Sequence, residues 1–131
     1  MSVNNRGVAA VIFDLSGTVI DHGSRGPVVA FVELFGRHNV RITEEEARVP
    51  MGMEKRDHIR ALLQFPGIKA RWESAKDRAV DSDTVDALYA EFIPLQIEVL
   101  ARHCEVLPGV REMTAALRER AIPFCATTGF S

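Results

Sequence analysis

The chain has only two cysteines, Cys104 and Cys125, and no metal-type spacing joins them. That excludes a disulfide-dense scaffold, and reduced thiols in a cytoplasmic protein are the simple expectation. Long apolar runs are missing too. None approaches the length of about 20 residues that a bilayer-spanning helix needs. The opening stretch Met1-Ser2-Val3-Asn4-Asn5-Arg6 lacks the apolar core of a secretory signal. Charge of one sign is also scarce. The net charge is -2, the pI is about 6.1 and acidic and basic residues are interspersed. No nucleic-acid or membrane surface is expected from such a balance. The chain shows no internal repeat and no low-complexity segment.

What remains is ordinary globular composition. The 131 residues are 47% hydrophobic and 26% charged, which fits a folded domain rather than a disordered one.

The organising stretch runs from Val8 to Asp21. Six apolar residues, Val8 to Phe13, are followed by Asp14 and then by the turn-prone Ser16-Gly17-Thr18. A short apolar run bounded by turn residues reads as a fully buried strand of a parallel sheet. Ligands in such sheets sit beyond the carboxyl ends of the strands. A loop, Asp21 to Gly26, follows, and Pro27 suits the first helical position. Val28, Phe31, Val32 and Phe35 carry helical spacing to about His38. Thr43-Glu44-Glu45-Glu46 has the capping-box pattern of a short helix that Pro50 ends. A third helix is predicted from Glu54 to Gln64, with Phe65-Pro66-Gly67 as a break. A fourth is predicted over Ile68–Val80. Asp81-Ser82-Asp83 offers caps for a long helix through Val99, which Pro94 should kink. After the turn Leu107-Pro108-Gly109, a last helix runs to Arg120. A second strand, Ala121–Ala126, then delivers Thr127-Thr128-Gly129.

Two strands joined through one helix make a simple crossover. Here a helical stretch of roughly eighty residues intervenes, far beyond an ordinary loop. The expected organisation is a partial α/β core from residues 1–22 and 104–131, with residues 23–103 as an inserted helical cap.

Two side chains stand out chemically. Asp14 is either a turn-capping carboxylate or a functional one at a strand end. Lys55 falls in the first turn of the third helix, and positions 55, 58, 59 and 62 share a face with Ile59 and Leu62. Desolvation and the positive end of the helix dipole would both lower the lysine's pKa, toward the neutral amine that imine formation requires. The other reading is an apolar stem whose ammonium reaches water. His58 alone is more often a helix-surface or core residue than a proton carrier.

The pattern of apolar run, Asp14, two residues, Gly17 and Thr18 resembles the first signature of the haloacid dehalogenase superfamily. There the aspartate takes up a phosphoryl group. Most phosphatases of that superfamily have a second aspartate two residues on, as leaving-group acid; here it is Ser16. The segment Glu45-Glu46-Ala47-Arg48-Val49-Pro50-Met51-Gly52-Met53-Glu54-Lys55-Arg56-Asp57-His58-Ile59-Arg60-Ala61-Leu62 closely resembles the phosphonatase branch, the phosphonoacetaldehyde hydrolases. The likeness extends from about Val8 to Phe130.

That resemblance implies an α/β fold: a fragment of a Rossmann-like haloacid dehalogenase core with an inserted all-helical cap. It implies Asp14 as nucleophile and magnesium ligand, with the Ser16 backbone carbonyl as a second ligand of Mg2+. Lys55 would form the imine with the aldehyde, and Met51 and His58 would belong to the cap face around it. Thr128 would bind the transferring phosphoryl group, with Thr127 as the fallback, and Gly129 would allow the turn. The implied reaction cleaves the carbon–phosphorus bond of phosphonoacetaldehyde to acetaldehyde and phosphate, in the degradation of 2-aminoethylphosphonate. The implied partner is a small-molecule phosphonate, and the full-length family implies a homodimer. Ser24 stands where the family often has Cys, and Phe130 where Tyr is common. The superfamily's two downstream signatures are not in the chain, which is therefore read as an N-terminal half with little or no turnover alone. The alternatives are another capped member, such as a dehalogenase or phosphomutase, and a non-catalytic helical interaction module.

Overall fold

The structure is a computed structural model that describes residues 7–129. The segment Met1 to Arg6 and the Tyr-to-Phe exchange at Phe130 lie outside the described residues. Eight elements follow one another: β1 (Val11–Asp14), α1 (Arg25–Arg37), α2 (Glu44–Arg48), α3 (Lys55–Gln64), α4 (Pro66–Lys76), α5 (Ser82–Ala101), α6 (Val110–Glu119) and β2 (Phe124–Thr127). They fold as two compact units. One comprises Met1–Ser24 with His103–Ser131, the other Arg25–Arg102.

The strand unit is a two-stranded parallel sheet. Its register pairs Val11 with Phe124, Ile12 with Cys125, Phe13 with Ala126 and Asp14 with Thr127. Both strands are shorter than expected. β1 starts three residues after Val8. β2 starts at Phe124 because Ala121 adopts a left-handed φ of 53° and prolongs the turn after α6. The expectation of a fully buried strand is corrected: Ile12 is 70% and Val8 62% exposed. Side chains alternate between the two faces of a sheet, so a strand is buried only where layers pack on both faces.

The helical unit holds every buried hydrophobic side chain among the described residues, from Val28 to Val99. α1 begins at Arg25, two residues before Pro27, and buries Val28, Phe31, Leu34 and Phe35 at helical spacing. Phe31 stacks on Phe92 of α5, with ring centroids 4.5 Å apart. Thr43 forms the expected capping box. Its hydroxyl accepts the Glu46 N–H, and the Glu46 carboxylate accepts the Thr43 N–H. The break before α4 narrows to Phe65, because Pro66 itself opens the helix. α4 ends at Lys76, not Val80, since Asp77 turns left-handed with a φ of 50°. Asp81 caps α5, and Pro94 lies within that helix.

Candidate active site

In the strand unit, Asp14 is exposed at the last rung of β1. Its Oδ1 accepts the N–H of Leu15 at 2.8 Å, which orients the carboxylate. The Leu15 N–H also donates to the Thr127 carbonyl at 3.0 Å, extending the ladder one step. A tight loop follows. Val19 and Ile20 donate to the Leu15 carbonyl, and Gly17 donates to that of Ile20 at 2.7 Å. Gly17 has a φ of 81°, and a Cβ there would run into Ser24 Oγ. Glycine is thus required on two counts, backbone region and space.

Two side chains that sequence patterning did not single out for this task hold the loop. Ser24 Oγ donates to the Ser16 carbonyl at 3.3 Å. Asp21, buried, accepts from Ser16 Oγ at 2.9 Å. The only sequence signal for the Ser24 contact is the conformational freedom of Gly17.

Thr127 ends β2, and its hydroxyl donates to the Phe13 carbonyl at 3.3 Å, across the ladder. Thr128 and Gly129 follow it, exposed, beyond the strand. Gly129 has no left-handed φ, and an added Cβ would meet nothing within 4 Å.

A magnesium site was tested against the donors present. The Asp14 carboxylate and the Ser16 carbonyl are hard oxygen donors, the type this ion takes. Among the described residues no group of three His, Cys, Asp or Glu side chains could hold a metal. The donors fit an ion that keeps several waters and shares its shell with substrate oxygens, as magnesium characteristically does.

In the helical unit, Lys55 is the first residue of α3, and Glu54 caps the helix by accepting the N–H groups of Arg56 and Asp57 at 2.9 and 3.2 Å. Burial pushes the Lys55 amine below the ordinary lysine range, and the Glu54 carboxylate partly opposes this. The expected face is real: Lys55 is half-buried, and His58, Ile59 and Leu62 are fully buried.

His58 lies deep among the helices. Its ring stacks on Phe31 with centroids 3.8 Å apart, and Nε2 lies 2.9 Å from the Ala47 carbonyl. A carbonyl only accepts, so Nε2 carries the proton and Nδ1 is left bare, with no partner. Burial, aided by the charge of Lys55 and opposed by the Ala47 bond, pushes the His58 pKa down to about 4. Met51 packs half-buried against the same core. It sits in a turn where Gly52 has a φ of 96° and the Met51 N–H donates to the Arg48 carbonyl at 3.0 Å.

A family model described as haloacid dehalogenase-like hydrolase matches residues 8–131. The chain is 47% identical over 124 residues to a phosphonoacetaldehyde hydrolase of Paraburkholderia xenovorans, covering 95% of this chain and 46% of that protein. A phosphonoacetaldehyde hydrolase of Paraburkholderia phytofirmans is 45% identical with the same coverages. Among solved structures, a phosphonoacetaldehyde hydrolase like protein from Oleispira antarctica superimposes with a TM-score of 0.85 at 39% identity. That match covers 95% of this chain and 45% of the other. The chain spans about half the length of the curated relatives it matches.

Proposed function

We propose, from the premise that this chain belongs to the haloacid dehalogenase-like hydrolases, that it carries the nucleophile and the imine-forming lysine of a phosphonoacetaldehyde hydrolase. The observation that carries this reading is Lys55, half-buried at the start of α3 with its amine pushed toward the neutral form. The likeness to curated relatives of that name supports it.

In this reading residues 25–102 act as the cap and the strand unit as part of the core. Neutral Lys55 adds to the aldehyde carbon and expels water, forming an imine that is then protonated. The Asp14 carboxylate attacks phosphorus. The carbon–phosphorus bond breaks, and its electron pair moves onto carbon to give a neutral enamine on Lys55. The enamine takes a proton and is hydrolysed to acetaldehyde and free amine, while water releases phosphate from Asp14. Carbon, not oxygen, leaves phosphorus, so no oxygen acid is needed at Ser16, whose hydroxyl instead donates to Asp21. Thr128, with Thr127 as the fallback, serves the phosphoryl oxygens. Met51 and His58 shape the surroundings of the lysine. A magnesium ion, when bound, would be held by Asp14 and the Ser16 carbonyl and would offset negative charge as phosphonate approaches carboxylate.

The test is borohydride reduction in the presence of phosphonoacetaldehyde, in a chain extended to the length of the relatives it matches, with the modified residue located by mass spectrometry. Substrate-dependent modification of Lys55, abolished in Lys55→Arg, is expected. Phosphate release without any trapped adduct would point instead to an ordinary phosphotransferase of the same family and overturn the imine.

A further inference from the structure

We propose that the helical unit carries a binding site for a small dianionic oxyanion, such as inorganic phosphate, in the cavity lined by Trp72, Lys76, Arg78, Thr84 and His38. The cavity measures about 310 Å³, which is ample for a tetrahedral oxyanion. It lies within one compact unit and does not depend on the reaction proposed above.

Its lining holds two cations, Lys76 and Arg78, and no acidic residue. The Lys76 ammonium lies 5.5 Å from the centre of the Trp72 ring. Arg78 donates through one guanidinium nitrogen to Thr84 Oγ1 at 3.0 Å, and among the described residues neither cation forms an ion pair with a carboxylate. Acids flank the cavity: Asp77 lies between Lys76 and Arg78 in the chain as the C-cap of α4, and Glu91 and Asp81 bond two of its lining residues. Glu91 pairs with His38 at 2.9 Å. Asp81 accepts both the N–H and the hydroxyl of Thr84, at 2.7 and 2.6 Å, as cap of α5. Asp81 also feels the charge of Arg78 through space, so it tempers the cavity's potential without closing an ion pair.

Six cations of this unit are in ion pairs: Arg37 with Glu98, Arg56 with Asp86, Arg60 with Asp57, Lys69 with Glu73, Arg71 with Glu46 and Arg102 with Glu33. Among the described residues, the two that line this cavity are in none of these pairs. A planar guanidinium fork beside a mobile ammonium is the donor set that oxyanions select. The aliphatic stem of Lys76 covers the indole and so holds its ammonium at the cavity wall.

Trp72 is the sole tryptophan, so its fluorescence reports this cavity directly. Titrating the chain with inorganic phosphate at low ionic strength should give a saturable change in emission. Lys76→Gln and Arg78→Gln should each weaken the apparent affinity about tenfold, and the double variant should abolish saturation while melting as the parent does. Added sodium chloride should weaken binding. Thr128→Val separates this cavity from any phosphate bound in the strand unit: its tryptophan response should equal the parent's. A linear response, or a saturable one that survives the double variant or is lost in Thr128→Val, would overturn the site.

Discussion

Asp14 and Thr127 are Cα partners in the last rung of the parallel ladder, and the Thr127 hydroxyl turns back to the Phe13 carbonyl. One threonine of the Thr127-Thr128 pair is thus employed in the sheet, and the other stands past its end.

The two threonines should therefore separate by readout. Thr127→Val loses a partly solvated hydrogen bond and should lower stability by about 0.5–1.5 kcal/mol, with Lys55 trapping unchanged. Thr128→Val should impair phosphoryl transfer. Chemical denaturation of the two variants, and phosphate release from the same variants in a chain extended to the length of its relatives, check this assignment.

Acid should destabilise the helical unit through His58. In the unfolded chain this ring protonates near pH 6.5; in the folded chain it does so near 4. The folded pKa is the lower one, so the stabilising contribution is complete above about pH 6.5. It is lost as the pH falls from there toward 4, over which the unfolded state binds the extra proton. The shift corresponds to about 3 kcal/mol. Protonating Nδ1 would create a buried N–H without an acceptor. Urea midpoints between pH 7 and 4 should slope downward in the parent. In His58→Phe, which keeps a stacking ring against Phe31, this part of the slope should vanish.

The pH profile of Lys55 trapping should follow its lowered pKa. Labelling rises with pH as the neutral amine accumulates, and its midpoint should lie below that of an ordinary lysine. Glu54→Gln removes the charge that opposes the shift while keeping a cap acceptor, so the midpoint should move further down. Trapping with cyanoborohydride across pH 6–10 reads both curves. A midpoint at the ordinary lysine value would contradict the effect of burial.

Gly17 and Ser24 should couple. Gly17→Ala forces a left-handed φ on alanine, at a cost of about 1–2 kcal/mol, and also drives its Cβ into Ser24 Oγ. Ser24→Ala removes that obstacle and leaves the backbone term. The double variant should be more stable than the sum of the two single changes predicts, by thermal melting in a double-mutant cycle. Strict additivity would mean that the loop moves to relieve the contact.

The capping box at Thr43, the start of α3 and the turn of Leu107-Pro108-Gly109 were legible in the sequence. Each is local, set by side chains within a few residues of the backbone groups they satisfy. The face shared by Lys55, His58, Ile59 and Leu62 followed from helical periodicity alone. Periodicity could not say how deeply each member lies. That His58 is sealed between Phe31 and the Ala47 carbonyl depends on α1 and α2 packing over α3. Nor could an apolar run reveal that Ile12 stays exposed, since burial of a strand is decided by the layers stacked on it. The Ser24 hydroxyl closes on Ser16 eight residues away, through a left-handed turn that no residue pattern encodes. The sequence by itself determined the order of the elements and the chemical types at their ends. The tertiary structure decided which polar groups lose water, and desolvation sets the proton affinities of Lys55 and His58.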